Sequence, residues 1–231
     1  MYNALLSENL PRVRESIHQA AQRSGREGRD VTLVAVTKAH PLDAVRAVLS
    51  AGIRDVGENR LWELEEKVQA LGRDVVQWHM VGHIQSRKAK QAVALAHLVH
   101  SVDSEKLARR LSRFALEAET RIPVLIQVNV AEEESKSGFL PHEAVDSIHR
   151  LLELQGLEVR GLMTMAPLVD DEGLLRSVFS GLRKIHEAAQ GLPGYRGREL
   201  SMGMTNDFEM AVEEGSTMVR IGTALLGERP R

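Results

Sequence analysis

The sequence predicts an α/β fold: a closed (β/α)8 TIM barrel with an extra N-terminal helix, as a single domain over residues 1–231. Three observations carry this prediction. Eight short apolar runs alternate with seven longer segments of helical periodicity, the pattern of a parallel sheet whose strands are joined by helices. Eight such units in 231 residues match the usual size of a closed barrel. The rival, an open doubly wound sheet, would place a G-x-G-x-x-G turn after its first strand, and none follows the run at 31–38.

The extra helix is read from Leu6, Leu10, Val13, Ile17 and Ala20, which recur at helical spacing with Arg12, Arg14, Glu15 and Gln19 between them. It frays into the polar stretch 25–30. Strands are expected at 31–38, 53–57, 76–82, 98–102, 123–130, 157–163, 199–202 and 217–221. Helices are expected at 42–51, 60–71, 86–94, 104–119, 141–154, 172–190 and 206–214. The acidic stretch 131–138 reads as a solvated loop, and the GLPG stretch at 191–194 as a turn.

Composition narrows the function. Hydrophobic residues are 43% of the chain and aromatics only 3%, so the core is aliphatic. Lys plus Arg number 30 against 32 Asp plus Glu, a net charge of −2, which argues against nucleic acid as a partner. There is no cysteine, so disulfides, thiolate metal sites and a cysteine nucleophile are excluded. No stretch has the organisation of a signal peptide or the length of a membrane span, and a cytoplasmic location is expected.

In a barrel the chemistry sits where the strands end at the carboxyl face. The first run, VTLVAVTK, delivers Lys38 to that rim. Burial lowers a lysine pKa, and a desolvated amine attacks carbonyls. The plainer alternative is a lysine snorkelling out of a strand end. The other strand ends carry Glu58 with Asn59, the stretch 78–83, Ser101 with Asp103, Asn129, and Met163 with Thr164. Residues preceding the strands, such as Arg29, Arg54 and Arg198, read as ordinary solubilising charge. Capping or turn roles are the simpler account for Asn59, Ser101 and Asp103 taken singly. His79 and His83 lie four apart, but no further ligands accompany them and no metal is expected.

The last two strands are the most specific part. Ser201 and Gly203 fall in one loop, Gly222 and Thr223 in the next. Loops after the seventh and eighth strands of such barrels often form a phosphate cup. Thr205 or Asn206 could instead cap the following helix. Arg220 lies inside the last apolar strand, where a permanently charged guanidinium needs a partner. An amine for an aldehyde, a cup for a phosphate and an arginine for a ring nitrogen together suit pyridoxal 5′-phosphate.

The motifs AVTK (35–38), GENR (57–60), WHMVGHIQSRK (78–88), QVNVAEEESKSG (127–138), GLMTM (161–165) and SMGMTNDFEMAVEEGSTMVRIGTALLG (201–227) occur in order over nearly the whole chain. With them the sequence resembles the pyridoxal phosphate homeostasis proteins, single-domain relatives of the alanine racemase N-terminal barrel. The resemblance implies that Lys38 carries the cofactor as a Schiff base and that Arg220 faces the pyridine nitrogen. It implies that Ser201, Gly222 and Thr223 hold the phosphate, and that Asn59, His79 and Met163 line the pocket. The GLMTM wording departs from the family's commoner form, in which alanine and isoleucine follow GLM, and alters packing beneath the ring.

The implied role is to hold, buffer or deliver the cofactor, with apo-enzymes as recipients and little or no catalysis. A racemase of this type adds a β-domain whose tyrosine is the second acid/base. Here the chain runs only a few residues past the eighth strand, and its tyrosines, Tyr2 and Tyr195, lie at no strand end. A monomer is expected on the same ground. The alternatives are a low-activity amino-acid racemase using the same cofactor, or a Schiff-base aldolase using Lys38.

Overall fold

The computed structural model describes residues 1–228. Eight parallel strands close into a barrel in sequential order. They are β1 (Thr32–Val36), β2 (Asp55–Glu58), β3 (Gln77–Met80), β4 (Leu98–Val102), β5 (Ile122–Gln127), β6 (Leu157–Met163), β7 (Glu199–Ser201) and β8 (Met218–Ile221). Closure is made by β1 on β8, with Leu33 opposite Val219 and Val34 opposite Arg220. Valine, isoleucine and leucine dominate these runs because both faces are covered.

Helices α1 (Tyr2–Arg23), α2 (Leu42–Ser50), α3 (Leu61–Leu71), α4 (Ala89–Leu95), α5 (Glu105–Glu117), α6 (Pro141–Leu152), α7 (Glu172–Ala189), α8 (Phe208–Glu213) and α9 (Thr223–Leu226) surround the sheet. The α1 stripe predicted from periodicity is buried, and α1 packs on α2, α8 and α9. Among the described residues no helix is long and apolar enough to cross a membrane.

Several strands end earlier than expected. β1 stops at Val36 and β5 at Gln127, because a parallel ladder ends where its neighbours turn away. Lys38 therefore lies in the turn beyond β1. The predicted helix 206–214 begins only at Phe208, since the Asp207 carboxylate accepts the Met204 N–H at 2.5 Å and holds a turn there. The segment 86–94 opens as a 3-10 turn, Ser86–Lys88, before α4. The short α9 was not expected.

The loop 131–138 is tied down rather than freely solvated. Lys136 Nζ donates to Glu133 Oε1 at 2.6 Å and to the carbonyl of Ala166 at 3.0 Å. Asn129 Nδ2 donates to the Glu133 carbonyl at 2.9 Å.

Two apolar layers result. The larger lies between sheet and helices. A smaller one inside the barrel gathers Val34, Leu98, Leu125, Met163 and Met218. Beside it the interior is polar: His79, His100, Ser201 and Arg220 are all buried.

Candidate functional site

A cavity of about 250 Å³ opens at the carboxyl ends of the strands, with Lys38, Asn59, Arg220, Gly222 and Thr223 in its wall. A larger opening of about 540 Å³ lies at the amino-terminal mouth, lined by Arg14, His18 and Asp55 among others. We take the smaller cavity as the site, because it joins an amine and a buried guanidinium at the face where barrel loops carry chemistry.

Lys38 is half-buried and sits in a turn closed by the His40 N–H on the Thr37 carbonyl at 3.0 Å. Ala39 has φ +60°, a left-handed backbone that costs a non-glycine residue energy and so marks a constrained site. Charges under the turn hold it. The Ala39 N–H donates to Glu63 Oε2 at 2.7 Å. Lys67 Nζ donates to the Thr37 carbonyl at 2.8 Å and to Glu58 Oε1 at 2.6 Å, and the Thr37 hydroxyl donates to the same carboxylate. Glu58 is fully buried, and among the described residues its Oε2 has no hydrogen-bond partner. Burial pushes the Glu58 carboxyl up to about 7, against the opposing pull of Lys67.

Arg220 is buried on β8, the strand paired with β1. Its Nη1 donates to Ser201 Oγ at 2.6 Å and its Nη2 to the Thr164 carbonyl at 2.9 Å. Burial pushes the guanidinium down to about 10, with Asp207 acting the other way. It therefore stays charged at neutral pH.

Two turns of small residues complete the wall. Gly203 has φ +94°, and a Cβ there would sit 2.6 Å from Ala211 Cβ and 2.9 Å from Phe208 Cα, so the position admits no side chain. A Cβ on Gly222 would meet the Val36 carbonyl oxygen at 3.2 Å. Thr205 Oγ1 accepts the Ala224 N–H at 3.4 Å, joining the two turns.

The expected residues thus divide into two groups. Lys38, Asn59, Arg220, Gly222 and Thr223 share the cavity wall. Gly203 supports it through its carbonyl, which accepts the Arg220 N–H at 3.0 Å. Ser201, His79 and Met163 lie beneath it, inside the barrel. Ser201 Oγ contacts Arg220 and His100, His79 contacts His100 and Asp55, and Met163 belongs to the inner apolar layer. His83 pairs with Asp103 at 2.8 Å. Among the described residues there is no cluster of three potential metal ligands.

Sequence reasoning assigned no site role to Thr205, read as a possible cap, or to Met165, which also lines the cavity. It also passed over the Glu58–Lys67 pair. Glu58 stood in the GENR motif, but nothing marked Lys67 apart from the other charges of α3. Chemically, the arrangement offers an amine for a carbonyl, a buried cationic donor, and a cup of glycines and hydroxyls for an anion.

The sequence matches the family described as alanine racemase, N-terminal domain, over residues 9–230. It is 37% identical over 222 residues to a pyridoxal phosphate homeostasis protein of Aquifex aeolicus, covering 96% of this chain and 97% of that one. It is 39% identical over 225 residues to that of Pseudomonas aeruginosa, covering 97% and 96%. Among solved structures, PipY of Synechococcus elongatus PCC7942 with PLP bound superposes with a TM-score of 0.81 at 36% identity, over 90% of this chain and 100% of that one.

Proposed function

Since the chain belongs to the pyridoxal phosphate homeostasis proteins, we propose that it holds pyridoxal 5′-phosphate on Lys38 in the carboxyl-face cavity. There it buffers the cofactor or delivers it to apo-enzymes in the cytoplasm, with little catalysis of its own. The observation that carries this reading is one cavity bounded by the Lys38 amine, the Arg220 guanidinium and the small-residue turns after β7 and β8. PipY, a structural relative of like length, has PLP bound.

The residues present fit the group. Lys38 supplies the amine for an aldehyde, and Arg220 a donor for a ring nitrogen. Gly222 and Thr223, joined by Thr205, offer a phosphate cup. Gly203 sits where any Cβ would collide with Ala211 and Phe208, so the turn packs tightly on α8 behind the cavity wall. When bound, pyridoxal 5′-phosphate supplies an aldehyde that condenses reversibly with Lys38 and a ring able to accept electrons.

The protein's own groups restrain that ring. Arg220 remains charged at neutral pH and would face the ring nitrogen as a donor, which would keep that nitrogen unprotonated and the electron sink weak. The tyrosine hydroxyls are engaged elsewhere: Tyr2 Oη with His40 Nδ1 at 3.2 Å, and Tyr195 Oη with His186 Nδ1 at 2.9 Å. Neither is placed as a second acid/base, a role typically worth ~10²–10⁴ in rate. The test pairs α-proton exchange in deuterated water, over a panel of amino acids, with cofactor transfer to an apo-enzyme. Transfer with negligible exchange is expected. Exchange at ordinary enzyme rates without transfer would make the protein a racemase-like enzyme instead.

A further inference from the structure

Arg220 presents a puzzle of charge. Buried cations are normally paired with an anion; the Asp207 carboxylate acts on this one electrostatically, while the guanidinium's own hydrogen bonds go to two neutral oxygens, Ser201 Oγ and the Thr164 carbonyl. Ser201 leads further. Its Oγ lies 2.9 Å from His100 Nδ1. His100 Nε2 lies 2.8 Å from His79 Nδ1, and His79 Nε2 lies 3.0 Å from Asp55 Oδ1. Side chains from β8, β7, β4, β3 and β2 thereby thread the barrel interior. They run from the cavity wall to the amino-terminal mouth, where Asp55 is 29% exposed.

The direction of every bond follows by elimination. A guanidinium only donates. Ser201 Oγ accepts from it, and among the described residues its one other partner is His100 Nδ1, so the hydroxyl proton points there. His100 Nδ1 is then bare, and burial holds this ring well below the ordinary histidine pKa. Its proton is on Nε2 and is donated to His79 Nδ1. His79 in turn carries its proton on Nε2, facing the Asp55 carboxylate.

We propose that Asp55, His79 and His100 are positioning residues for Arg220, forming a one-way hydrogen-bond chain that serves as its distributed counter-ion. A group that donates becomes a stronger acceptor, so the negative charge of Asp55 is felt at Ser201 Oγ through two rings and a hydroxyl. The guanidinium is held in place without a carboxylate against it. Such a carboxylate would compete with a ring nitrogen for the same N–H groups. The consequence for bound cofactor rests on the reading that Arg220 faces the ring; the chain itself does not.

The test uses the full chain labelled with ¹⁵N in histidine and arginine side chains. At neutral pH without cofactor, two-bond ¹H–¹⁵N spectra should show His79 and His100 each protonated on Nε2 and bare on Nδ1. Asp55→Ala should shift the Arg220 guanidinium resonances across the barrel, and Asp55→Asn, which keeps an acceptor oxygen, should shift them less. Asp74→Ala, at another exposed carboxylate, should leave them unmoved. A protonated Nδ1 on either histidine of the unsubstituted protein overturns the proposal without recourse to any variant. So do Arg220 signals indifferent to Asp55→Ala. If the tautomers hold and adding pyridoxal 5′-phosphate leaves Arg220 unmoved, the chain stands and the ring-facing reading falls.

Discussion

Lys38 and Arg220 stood out in the sequence for the same physical reason: a charge inside or ending an apolar strand is costly unless it is used. Their supporting charges did not stand out. Lys67 lies in α3 beside Glu65 and Glu66, where a charge normally marks a solvated face, yet its ammonium turns inward onto Glu58. Only the fold brings the Glu63 carboxylate to the Ala39 N–H. Glu58 gives this scale its prediction. Its folded pKa, about 7, lies above the ordinary 4.5, so folding favours the protonated form. The stability this contributes is fully present below pH 4.5 and is lost as pH rises through about 7. Glu58→Gln, which cannot ionise, should remove that component. Urea titrations from pH 4.5 to 8 should show the unsubstituted protein losing stability relative to the variant, by on the order of 3 kcal/mol. Parallel pH profiles would count against the assignment.

At the scale of elements, strand and helix order was legible because hydrophobic period and turn residues agree along the chain. Strand ends were less legible, since pairing partners set them. That difference governs the cup. Ser201 ends β7 level with Met163 and Met218, so its side chain stays inside the barrel. Thr205, four residues on, reaches the cavity wall. Sequence alone does not fix that register, and α9 gives no periodic signal in so few residues. If the turns after β7 and β8 hold a phosphate, pyridoxal lacking it should bind far more weakly. Each charge-assisted hydrogen bond lost is worth about 1.5–3 kcal/mol, so two such bonds imply a loss of at least ~100-fold. Fluorescence titration of both vitamers checks this, and equal affinities would refute the cup.

For the whole molecule, the barrel sets a cationic cavity at one face and ties its arginine to the opposite mouth through the interior. Among the large exposed apolar residues, Trp62 borders a groove with His40, and Leu168 and Met204 border the cavity. We expect this protein to be a monomer, with light scattering at micromolar concentration giving the mass of one chain; a tight dimer would contradict that. The central claim is that Lys38 carries pyridoxal 5′-phosphate. Its most direct test is borohydride reduction of the loaded protein followed by peptide mass mapping. The account predicts the reduced cofactor on the peptide containing Lys38, and none fixed in Lys38→Ala. Cofactor fixed on a different lysine, or equally in both proteins, would contradict it.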